Sequence, residues 1–139
     1  MATKKKLLQA AAGNAGGEAL NVEDVFSTYL YTGNGSTQTI TNGIDLDGEG
    51  GLTWIKSRTN TDGHCLADTE RGVNRRLMSN LTGAEFVYTG GTNEIQNSFN
   101  GNGFGIGTND LVNRSGNDYA SWTFRKAPKF FDVVQFSTG

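Results

Sequence analysis

The sequence predicts an all-β protein, an antiparallel β-sandwich of the concanavalin A-like or jelly-roll kind with a short N-terminal tail. Three observations carry this. Glycine fills 20 of 139 positions, and Gly, Thr, Asn and Ser together fill 58; all four are poor in helix interiors and good in strands or turns. From Val22 onward, β-branched and aromatic residues come in short runs separated by Gly and Asn turn formers. Within the clearest run, Tyr119–Lys126, large apolar residues alternate with polar ones. Proline and cysteine occur once each, which excludes collagen and an internal disulfide framework. No apolar run approaches the ~20 residues of a membrane helix. A net charge of −2 gives no electrostatic case for nucleic acid.

The candidate strands follow in order: Val25–Thr32, Thr37–Thr41, Leu52–Ser57, Cys65–Thr69, Arg76–Ser79, Glu85–Tyr88, Ile95–Phe99, Phe104–Gly107, Tyr119–Lys126 and Phe131–Phe136. Between them stand Gly33-Asn34-Gly35, Asn42-Gly43, Gly48 to Gly51, Asp62-Gly63, Gly90-Gly91, Asn100 to Gly103 and Ser115 to Asp118, each with the chemistry of a tight turn. No convincing helix is expected after residue 22. In Tyr119–Lys126 the spacing puts Ala120, Trp122 and Phe124 on one face, expected to face the core, and Tyr119, Ser121, Thr123 and Arg125 on the other. Trp54 alternates similarly with Leu52 and Lys56, so both tryptophans are expected in the core.

Three segments result. Residues 1–21 form a basic tail, with Lys4, Lys5 and Lys6 ahead of Leu7 and Leu8. Thr3 could cap a short helix over Lys4–Ala12, too short to persist alone in water. The apolar stretch after Lys6 is too short for a signal peptide and is broken by Gln9. Residues 22–130 form the sandwich module. Residues 131–139 are a strand that closes the module or opens a following repeat. The second alternative rests on a weak likeness between Val25–Gly33 and Phe131–Gly139, both β-rich and both ending in Thr-Gly.

Chemistry is sparse. Asp45, Asp47 and Glu49 resemble the start of a calcium loop, but position 56 is Lys and the flanks are strands, so calcium is a weak candidate and a solvated acidic hairpin the simpler reading. His64 and Cys65 lack two further ligands at zinc spacing. The run Gly101 to Gly107 lacks the helix and the Lys-Ser/Thr of a phosphate loop; it reads as a turn followed by a strand whose glycines allow close backbone approach. Glu70, Glu85 and Glu94 are scattered rather than paired as a glycosidase requires, and no Gly-x-Ser-x-Gly elbow occurs. Arg71, Arg75 and Arg76, then Arg125, Lys126 and Lys129, read as solvated edges or a subunit contact. No catalytic or cofactor residues are assigned, and the chain is expected not to be an enzyme.

Several stretches carry a family likeness: Tyr31-Thr32-Gly33-Asn34-Gly35, Asn42 to Leu46, Gly51 to Arg58, Asp68-Thr69-x-Arg71-Gly72, Ser98-Phe99-Asn100-x-x-Gly103-Phe104, and Tyr119 through Val134. Together they resemble a module found, often in tandem, in virion proteins of tailed phages, especially marine ones, and similar to concanavalin A-like and laminin-G sandwiches. The likeness covers about residues 24–136. It implies a virion structural protein, a tail fibre or appendage, made in the host cytoplasm. It implies other virion proteins as partners, attachment through the N-terminal segment with Lys4, Lys5, Lys6, Leu7 and Leu8 as docking candidates, and a homo-oligomer, a trimer being favoured. A lectin-like module holding host-surface glycans through loop aromatics such as Tyr88, or a capsid decoration protein, are the alternatives. Neither nucleic acid nor membrane is expected as a partner.

Overall fold

A computed structural model describes residues 19–91 and 93–139. The expected tail helix Lys4–Ala12 and the docking candidates Lys4 to Leu8 lie outside the described residues.

The architecture is an all-β antiparallel sandwich. Strand β1 (Phe26–Thr32) is preceded by a one-turn helix α1 (Val22–Val25). Then come β2 (Gln38–Thr41), β3 (Gly51–Ser57), β4 (Cys65–Asp68), β5 (Arg75–Arg76), β6 (Phe86–Val87), β7 (Gln96–Asn100) and β8 (Gly103–Ile106). A one-turn helix α2 (Asp110–Asn113) precedes the long strand β9 (Asp118–Arg125). One layer is a four-stranded sheet in the order β1-β9-β3-β4; the other is three-stranded, β2-β8-β7; β5 and β6 form a small ribbon. The ribbon joins the larger sheet through a bridge between Leu66 and Leu77.

The core lies between the layers. Tyr31, Ile55, Cys65 and Tyr119 from the larger sheet meet Ile40, Phe104 and Ile106 from the smaller, with Ile44, Leu46, Ile95 and Val112 closing the ends. The rings of Tyr31 and Tyr119 stack at 5.2 Å between centroids. Their hydroxyls donate to the carbonyls of Val112 and Asp110, at 2.7 and 2.8 Å. Asn113 fastens this end of the sandwich, donating to the carbonyls of Ser36 and Gly107 and accepting from the amide of Asn34. Both tyrosine phenols are pushed up from their ordinary value, first by burial.

The glycine run behaves as its spacing predicts. Gly103 turns the chain into β8 with φ +154°, and a Cβ there would collide with the carbonyl oxygen of Ile40 on the neighbouring strand. Gly105 lies against Asn97 and Ser98, where β7 carries a bulge. With no side chains at these two positions, the strands flanking β8 close over it, and all four of its residues are buried.

Three expectations are corrected. First, Tyr119, Ser121 and Thr123 face the core, whereas Trp122 and Phe124 face outward. The reason is hydrogen bonding. Thr123 Oγ1 accepts from Asn42 Nδ2 at 2.9 Å, Ser121 Oγ donates to the Tyr29 carbonyl, and Tyr119 is tied as above. Thr53 on β3 donates to the Gln96 amide oxygen across the layers. A seam of small hydroxyl residues, each with a partner, fills the inward face that alternation alone assigned to the larger apolar set. Secondly, neither Trp54 nor Trp122 is buried in the core; both stand on the outward face. Thirdly, Phe131–Phe136 is not a strand here. Phe131 makes a single bridge to Ala127, and Val134 and Phe136 are 71% and 86% exposed. A β-rich segment becomes a strand only where a neighbour offers a free ladder, and among the described residues it pairs with none.

Candidate functional site

Directly opposed residues of antiparallel strands share a face, so the registers define the outward surface of the larger sheet. One row runs Leu77, Leu66, Trp54, Trp122, Thr28 across five strand positions. A second runs Asp68, Leu52, Phe124, Phe26, and a third Lys56, Ala120, Leu30. The two indoles meet edge to face at 5.8 Å. Phe124 lies between Phe26 and Phe131, at 5.0 and 5.2 Å. Trp54 Nε1 donates to His64 Nδ1 at 2.9 Å, so His64 buttresses this face rather than binding a metal with Cys65. The Lys56 ammonium turns back onto the carbonyls of Ser57 and Asn60. Leu30, on the edge strand, is 57% exposed.

This surface escaped sequence reasoning. Trp122-x-Phe124 is plain in the chain, but which face of a strand points inward is decided by the partners of Tyr119, Ser121 and Thr123, and those of Ser121 and Thr123 lie far off in the chain. Only the four-strand register brings the rows together.

Charged groups sit around the margin, in pairs. Lys126 reaches Glu70 at 2.6 Å and Asp132 at 3.4 Å, next to Phe131; its ammonium pKa is raised, first by the Glu70 hydrogen bond. Asp68 pairs with Arg71, and Arg71 and Arg75 both approach Glu85. The Arg76 guanidinium lies over the rings of Phe86 and Tyr88, at 5.0 and 5.5 Å. Tyr88 is therefore half-buried between Phe86 and the core, and it is not a free loop platform. Glu94 accepts from Asn74 Nδ2.

The acidic hairpin does not converge. Asp45 Oδ1 accepts from the amide of Gly48 at 2.8 Å, closing the turn. Among the described residues no group of three or more His, Cys, Asp and Glu side chains could hold a metal ion. Asp45, Asp47 and Glu49 are thus not gathered into such a group here. Cys65 is buried in the core, and burial pushes its thiol up to about 12. An open cleft of about 620 Å³ is lined by Glu49 and the residues from Lys126 to Asp132; two of these, Lys126 and Asp132, are paired with each other.

The fold and this surface define a structural class, an antiparallel β-sandwich whose outward sheet face is aromatic. The chain belongs to the family described as Domain of unknown function (DUF7483), which matches residues 21–130. No curated protein and no solved structure matches the chain. No helix among the described residues is long and apolar enough to cross a membrane.

Proposed function

We propose that this chain is a non-enzymatic structural component of a phage virion, a tail fibre or appendage. It attaches to the particle through its N-terminal segment and works as a homo-oligomer, a trimer being favoured. The likeness of residues 24–136 to virion modules supports the setting. One observation supports the non-enzymatic part. The side chains that could do chemistry already serve the fold: His64 braces Trp54, Glu70 and Glu85 hold Lys126 and Arg75, and Cys65 is sealed in the core.

Deleting residues 1–20 tests the attachment. The expected result is a sandwich that folds with unchanged circular dichroism but is missing from assembled particles. Normal incorporation of the deletion would remove the anchor role. Sustained release of reducing sugar from host polysaccharide would overturn the non-enzymatic reading, and saturable binding on a glycan array would favour the lectin-like alternative.

A further inference from the structure

We propose that the open edge of β1 is the site at which one copy of this chain receives residues 133–138 of another as an added strand. The inference rests on the homo-oligomer in the reading above and names the contact that builds it.

The sheet edges differ in what they leave open. β4 is closed by the paired bonds between Leu66 and Leu77. The carbonyls of Gln96 and Asn100 in β7 are taken by the amides of Asn74, Leu46 and Asp47. β2 has only four residues. β1 has seven and pairs on one side only. At the end of its ladder Gly33 donates to Asn117. Antiparallel pairing alternates, so Ser27, Tyr29 and Tyr31 bond to β9 and the residues between them point their backbone groups away from it. The Phe26 amide is taken by the Val22 carbonyl, and the Thr32 carbonyl by Gln38 Nε2. The amide and carbonyl of both Thr28 and Leu30 are left open among the described residues, flanked by the Phe26 carbonyl and the Thr32 amide. β1 contains no charge, no proline and no bulge, the devices that ordinarily guard an edge.

The same chain carries a strand without a ladder. Residues 133–138 read Val-Val-Gln-Phe-Ser-Thr, uncharged and rich in strand formers. Val134 and Phe136 stand in solvent. Two residues apart, they fall on one face of an extended segment. Laid along β1, that face meets Thr28 and Leu30 as cross-strand neighbours, and the backbone meets the open groups. The root of the segment selects whose edge it takes. Ala127 and Phe131 exchange two backbone bonds, Lys129 turns the chain at φ +64°, and Asp132 pairs with Lys126. This turn holds Phe131 against Phe124 of β9, a strand whose two neighbours, β1 and β3, are already in place. So rooted, residues 133–138 pair with no strand of their own chain among the described residues. The identical edge of a second copy accepts them with the turn intact. Each copy gives one strand and receives one, a head-to-tail contact that closes as a small ring.

The test is sedimentation velocity of the full chain from micromolar to millimolar concentration, with amide hydrogen exchange at Thr28 and Leu30. The expected result is a mass that rises with concentration while these two amides become protected in step. Deleting residues 133–139, and Leu30→Pro, should each weaken association by about tenfold or more with circular dichroism unchanged. Leu30→Pro removes an amide that points away from β9. The deletion removes only residues outside the sheets, and covers the case in which Leu30→Pro fails to fold. The deleted chain keeps its edge and the Leu30→Pro chain keeps its donor segment, so a mixture of the two should pair one to one. A mixture that does not pair would overturn the proposal. Self-association of the deleted chain that Leu30→Pro abolishes would overturn the donor segment and assign the contact to β1 against β1. Association that both variants leave intact would overturn this edge and spare the homo-oligomer; a mass that never rises would overturn both. Protection independent of concentration would overturn the second copy, and its loss on deletion would assign the edge to the chain's own residues 133–138.

Discussion

Cys65 and Tyr31 tie stability to alkaline pH. Both lose water on folding, and both hold their protons more tightly in the folded chain. The unfolded thiol ionises near its ordinary 9.0, the folded one at about 12. Stability from this group is complete below pH 9.0 and falls as pH rises through that window, because the unfolded state alone gives up the proton. The slope is at most about 1.4 kcal/mol per pH unit per group, with Tyr31 joining once the pH passes its ordinary value. Urea midpoints should drop between about pH 8 and about pH 10, and Cys65→Ala should flatten that drop. The same burial makes the thiol inert. A disulfide reagent at mild pH should label Cys65 only after denaturant is added, and prompt labelling of the native chain would contradict its place in the core.

At the scale of the element, β8 and β9 make opposite demands. Gly103 has no room for a methyl group, since the Ile40 carbonyl lies where a Cβ would stand. Gly103→Ala should cost about 3 kcal/mol or more, read as a fall in the urea midpoint. In β9 the buried phenol of Tyr119 both donates to Asp110 and accepts from the Arg114 amide. Tyr119→Phe should cost about 1–3 kcal/mol through the groups left unpaired. Trp122→Thr, on the outward face, should cost about 1 kcal/mol or less, the scale of a cross-strand pair. The opposite ranking would mean that Trp122 faces the core. These strands show how far sequence reaches. Nine of the ten candidate runs contain observed strand pairing near their expected bounds, because turn glycines and β-branched runs act locally. The face of β9 was not legible. A Tyr-Ser-Thr face and an Ala-Trp-Phe face are both compatible with burial, and the choice falls to Asp110, nearby in the chain, and to Asn42 and Tyr29, which are remote in sequence. Phe131–Phe136 failed for a related reason: its β-rich composition is intrinsic, but its ladder has to come from elsewhere.

At the scale of the whole molecule, the loops are organised by their own hydrogen bonds. The hairpin of Asp45 closes on Gly48 without an ion. Thermal unfolding should therefore give the same midpoint in calcium and in excess chelator; a rise with calcium would show that the acidic hairpin rearranges to bind it. The two layers are joined by a hydroxyl seam as well as by apolar packing. Directional bonds such as Asn42 to Thr123 and Thr53 to Gln96 fix how one sheet sits over the other. That arrangement leaves Leu52 and Trp54 of β3 and Trp122 and Phe124 of β9 on the outward face of the larger sheet. The first strand and the last are also neighbours: Phe26 stands opposite Phe124, and the ladder runs from there to Thr32 opposite Asp118. The chain comes in at β1 and leaves from β9 at one end of the same ladder. A pull applied between those two points meets the rungs one after another, as a zip opens, rather than all together. Mechanical load carried from one side of the module to the other would start at the Phe26–Phe124 pair, and the closely packed rings of Phe26, Phe124 and Phe131 sit where that tear would begin.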